Sequence, residues 1–182
     1  MRAGNTVPGT SPTLTAELHP GENLLVWSYR SWATAVRPGG EQRWRLLRYE
    51  YRRQFGASDS ETALDRFTVL MRQLGGHARA PLQYHVPCCP CLGAQEVSVM
   101  SLVAACQARQ WSLARRIACC LVVADGIGAS VAAASAVADL MRRYLPALPL
   151  RLSADGEDTV VALHPSGHAA AGARVPGTVT MH

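Results

Sequence analysis

Apolar residues in this chain recur every three or four positions over most of its length, and almost nowhere every two. That is the period of helices with one buried face, and it predicts an all-α protein. Leu25, Tyr29, Trp32 and Val36 give 22–36 an apolar face, ended by Pro38-Gly39-Gly40. Trp44, Leu47, Tyr51 and Phe55 stripe 41–55, with Gly56 placed as the residue just past a helix end. Ser58 and Glu61 have capping-box spacing for a third helix, and Leu64, Phe67, Leu70, Met71 and Leu74 supply its buried side up to Gly75-Gly76. After a proline-rich stretch, a fourth helix over 95–108 carries Val99, Leu102, Val103 and Cys106. A fifth opens at Trp111-Ser112 and aligns Leu113, Ile117, Cys120, Leu121 and Ala124 before Asp125-Gly126 breaks it. The last, over 127–144, repeats Ile127, Val131, Ala134, Ala138 and Met141, the seam spacing of an antiparallel bundle. The expected architecture is a compact bundle of about six helices.

The ends break this pattern. Residues 1–20 are rich in Pro, Gly, Thr and Ser, and 151–182 in Gly, Ala, Pro and His. Neither end has the apolar content to offset its ordering entropy, so both are expected to be disordered tails around a helical domain at 22–150. The C-terminal stretch holds a weak alternation at 159–163, and His164, His168 and His182. The segment 117–138 is apolar enough to prompt a membrane test. Its residues are mostly Ala, Ser and Gly, and Asp125 at its centre disfavours insertion, so a membrane span is not expected. No apolar run follows Arg2, and the expected location is cytoplasmic, where thiols stay reduced.

All 18 basic residues are arginine. The lack of lysine excludes a P-loop lysine, a Schiff-base lysine and a kinase-type phosphate lysine. A formal net charge of +5 is compatible with an acidic partner or nucleic acid.

One stretch concentrates the chemistry. The loop at 77–92 carries His77, His85, Cys88, Cys89 and Cys91, and Pro81, Pro87 and Pro90 keep it from continuing a helix. Thiolates and imidazoles at such spacing suit a tetrahedral zinc, with one of Cys88 and Cys89 left spare. A zinc-stabilised loop on a small regulatory or adaptor protein is the leading expectation. The same Cys88-Cys89-Pro90-Cys91 run also resembles the dithiol of thioredoxin-like proteins, over those four residues alone. That resemblance implies a redox enzyme or sensor using Cys88 or Cys89 with Cys91. An iron–sulfur cluster would need a further, distant thiol. Outside the loop, Cys106 and Cys120 are expected to be buried, with Cys119 off the core face.

The helix at 43–53 interleaves Arg45, Arg48 and Arg52 with Trp44, Tyr49 and Tyr51. Such a stripe suits phosphates, which makes a nucleic-acid-binding regulator the third reading, against the plainer one of a solvated basic face. The helix that follows begins with Asp59, Glu61 and Asp65, acidic residues that weaken any likeness to a helix-turn-helix.

Overall fold

The computed structural model describes residues 18–150, which form a mostly helical fold. Its helices are α1 (Pro20–Ala35), α2 (Glu41–Gly76), α3 (Ala94–Gln107), α4 (Trp111–Leu121) and α5 (Ile127–Tyr144), with a short 3₁₀ turn at Ala124–Gly126. An isolated antiparallel bridge pairs Ala78 with Val122. The tail readings at 1–17 and 151–182, including the 159–163 alternation and its three histidines, lie outside the described residues.

The helices number five because the two expected on either side of Gly56 join as one element. Gly56 has φ 72° and ψ 177°, a conformation open in practice only to glycine. The chain folds back there. In a straight helix Tyr51 and Phe67 would be about 24 Å apart, whereas their ring centroids are 6.3 Å apart. Phe55 packs edge-on against Tyr144 of α5, and the Tyr144 hydroxyl donates to Asp59 at 2.6 Å, which closes this end of the bundle.

α5 lies against α2, α3 and α4, while α1 packs on α2 and α3. The inward positions match the sequence pattern closely along α2 and α3, where Leu64, Phe67, Leu70, Met71, Leu74, Val99, Leu102, Val103 and Cys106 are all buried. Four expectations need correction, the first being Ala124, which lies beyond the end of α4 and is exposed. The fold starts before residue 22: Leu18 is buried, Pro20 occupies the first turn of α1, and Glu22 accepts the His19 N–H at 2.9 Å. Val36 follows the end of α1 and is 40% exposed rather than buried. Cys120 is exposed because the buried face of α4 is centred on Ala114, Ile117, Ala118 and Leu121, which leaves Cys120 at its edge.

One described helix, taken from Ala124 to Tyr144, is long and apolar enough to cross a membrane by length and composition. In this fold its Ala134, Val137, Ala138 and Met141 are core positions.

Candidate functional site

The proline-rich loop sits at the end of the bundle where α2 stops, α3 starts and α4 stops. Its first part is fastened to α4. The His77 carbonyl accepts from the Val123 N–H at 2.9 Å, and the Arg79 N–H donates to the Leu121 carbonyl at 3.1 Å. The Arg79 guanidinium donates to the carbonyls of Cys119 and Val122 at 2.7 and 2.9 Å, a cation at the negative end of α4. Leu82 is buried, and the Tyr29 hydroxyl of α1 donates to the Gln83 carbonyl at 2.9 Å.

The second part is held from beneath by two buried charges. Arg30 of α1 donates from Nε and Nη2 to the two oxygens of Glu96 of α3, both at 2.7 Å. The side chains are 1% and 0% exposed. Arg30 has donors left over, and it spends them on the loop. Nη1 reaches the Cys89 carbonyl at 2.6 Å, and Nη2 the Cys91 carbonyl at 2.5 Å. Glu96 likewise has acceptor sites left, which the His85 and Gly93 N–H groups fill at 3.0 and 2.9 Å. A planar guanidinium can serve a carboxylate and two carbonyls at once, which a lysine ammonium cannot do with the same geometry.

Glu96 is the third residue of α3, so its carboxylate caps the Gly93 N–H and lies at the positive end of the helix. Burial pushes the Glu96 carboxyl up. Hydrogen bonds from Arg30, Gly93 and His85, with the Arg30 charge, outweigh that and hold it below the usual carboxylate value. The Tyr29 hydroxyl is pushed up, first by burial and then by the Glu96 charge.

These contacts fasten both parts of the loop to the bundle. His77 and His85 belong to separate parts of the loop. His77 ends α2 and packs on Gly126, where an added Cβ would lie 2.3 Å from the His77 Cβ. The His85 ring lies against Gly93, with Nδ1 3.4 Å from Glu96. Among the described residues no group of three or more His, Cys, Asp or Glu side chains is placed to hold a metal ion. As arranged, His77, His85, Cys88, Cys89 and Cys91 do not make the tetrahedral donor set that zinc requires.

The thiols themselves face outward. Cys88 and Cys91 are exposed and Cys89 is half-buried. The neighbouring Cys89 thiol, ahead of burial, holds the Cys91 proton above the ordinary thiol range against the pull of Arg30. Two more exposed thiols, Cys119 and Cys120, lie at the same end of the bundle on the last turns of α4. The Cys119 sulfur accepts from Arg79 Nη2 at 3.7 Å. Cys106 is the exception. It is buried and donates toward the Val131 carbonyl at 3.7 Å, and burial, then Asp139, push its thiol up to about 12.

Sequence reasoning missed Arg30 and Glu96, although the signal was there. Arg30 is the lone charged residue between Glu22 and Arg37, and Glu96 the lone acidic or arginine residue between Arg79 and Arg109. A single charge in a stretch otherwise apolar enough to be buried must find a partner, and here each finds the other.

The chain matches no protein-family model, no curated protein and no solved structure.

Proposed function

We propose that this protein is a small non-enzymatic regulatory or adaptor module whose cysteine loop responds to thiol oxidation. The observation that carries this reading is the position of Arg30. A buried guanidinium grips the carbonyls of both Cys89 and Cys91, and the pair it forms with Glu96 is 1% and 0% exposed. Buried ion pairs are a poor route to bulk stability compared with apolar packing. This one fixes the backbone on either side of Pro90 and sets an exposed Cys91 beside a half-buried Cys89.

The chemistry is a two-electron exchange with a low-molecular-weight disulfide. The Cys89 thiolate attacks one sulfur of the disulfide, whose S–S bond breaks and releases one thiolate. The Cys91 sulfur, after losing its proton, attacks the Cys89 sulfur of the mixed disulfide and releases the second thiolate. The protein is oxidised to the Cys89–Cys91 disulfide, and the small disulfide is reduced to two thiols. The neighbouring Cys89 sulfur holds the Cys91 proton up, which supports Cys89 as the first thiol to attack and Cys91 as the second.

Titration in glutathione buffers of graded ratio, followed by alkylation and peptide mass mapping, tests this reading. The expected product is a protein lighter by two hydrogens, cross-linked between Cys89 and Cys91. Oxidation that stops at glutathione adducts, with no internal disulfide, would contradict it.

A further inference from the structure

We propose that the arm of α2 at 41–55 is a binding surface for single-stranded nucleic acid. This goes beyond the thiol reading and stands on different residues.

The arm is divided sharply. Leu47, Tyr51 and Phe55 are buried, so its other face must look outward. Arg45, Arg48 and Arg52 are exposed there, together with Tyr49 at 69% and Leu46 at 42%. At a rise of about 1.5 Å per residue, the three arginines form a row roughly 10 Å long, with Tyr49 beside it. Arg53 is different, because both its Nε and Nη2 are taken by Glu50 at 3.0 and 2.6 Å. Arg45, Arg48 and Arg52 make no hydrogen bond or ion pair with any described residue.

Three unneutralised guanidinium groups in a row call for an occupant with regularly repeated negative charge. Phosphodiester backbone has that charge, and Arg pairs with phosphate through two parallel hydrogen bonds. Tyr49 narrows the choice. A tyrosine this exposed beside a basic row is the arrangement that stacks on an unpaired base, which single strands offer and a duplex does not. A membrane surface fits less well. An interfacial helix needs a broad apolar face toward lipid, and the apolar face of this arm is in the core.

The test is fluorescence anisotropy of a labelled mixed-sequence oligonucleotide of about 12 nucleotides. It is titrated with the full chain in reductant, at salt from about 50 to 200 mM. Keeping the thiols reduced separates failure of this proposal from failure of the thiol reading. Binding should weaken steeply with salt. The triple variant Arg45→Ala, Arg48→Ala, Arg52→Ala should lower the log–log salt slope by about 2, for three single-strand phosphate contacts at roughly 0.7 each. Tyr49→Ala should weaken binding about fivefold or more without changing the slope, and Tyr49→Phe should restore it. The substituted side chains are all exposed, so unchanged melting temperatures serve as the folding control. The proposal is overturned if the triple variant binds like the parent, or if duplex of the same length binds as tightly and ignores Tyr49→Ala. It is also overturned if the oligonucleotide does not bind while vesicles of phosphatidylserine and phosphatidylcholine do.

Discussion

Arg30 and Glu96 lie 66 residues apart in sequence and meet through two hydrogen bonds of 2.7 Å in the interior. Around that contact are gathered the C-terminal half of α1, the first turn of α3 and the backbone of the cysteine loop. The other hydrogen bonds of the pair go to the loop and to Gly93 at the start of α3.

Removing one member should therefore be far more damaging than removing a surface charge. Arg30→Met is expected to destabilise the fold by about 3–5 kcal/mol, the usual penalty for leaving a buried carboxylate without its partner. Arg30→Lys should recover little of this, since an ammonium cannot reproduce the fork. The double variant Arg30→Met, Glu96→Leu should regain much of the stability while leaving the loop unanchored. Urea unfolding measures all three, and a double variant as weak as Arg30→Met alone would show that the charge left behind is not the main loss.

The same pair gives stability a pH dependence of known sign. The folded Glu96 carboxyl lies below its ordinary value of 4.5, so its contribution is fully present above that value. It is lost as pH falls through the lowered folded value, because the unfolded chain then binds the proton more readily. In unfolding curves taken from about pH 7 to pH 3, Glu96→Gln should be less stable at the upper end and flatter toward the lower. Parallel curves for the two proteins would remove Glu96 from the acid response.

Much of this architecture was legible in the sequence. The three-and-four spacing predicts the five described helices, with α2 read as two, and Gly56 stands at the break between them, as its positive φ requires. What the apolar stripes missed came from small and charged residues. Ala114 and Ala118, both fully buried, rotate the inward face of α4 and push Cys120 out. The loop was visible as a cluster of Cys, His and Pro, and that cluster drew attention to metal. In the fold its second part is held by one charge in α1 and one in α3, and only the tertiary structure reveals that they meet.

Gly56 offers a local test of the reversal inside α2. No atom lies within 4 Å of a Cβ built there, so Gly56→Ala meets no clash. Its φ of 72° with ψ of 177° is still strained for any other residue, and a loss of about 1–3 kcal/mol is expected. A melting temperature equal to the parent's would mean that the chain turns elsewhere.

The six thiols should separate cleanly by reactivity. With a neutral maleimide under native conditions, Cys88, Cys89, Cys91, Cys119 and Cys120 should be modified, while buried Cys106 should react only after unfolding. Peptide mapping of the native reaction checks this, and early labelling at Cys106 would contradict the α3–α5 packing that encloses it.

Amide hydrogen exchange across the loop tests the central claim, that Arg30 and Glu96 hold it. The N–H groups of Gln83, His85 and Gly93 donate to the side chains of Gln95 and Glu96, and that of Cys89 to the Val86 carbonyl. In the parent protein, His85, Cys89 and Gly93 should be protected, and a strong chelator should not change this. In Arg30→Met their protection should collapse while the amides of α2 and α5 stay slow. Protection that survives Arg30→Met but disappears with chelator would contradict the account and return the loop to a metal.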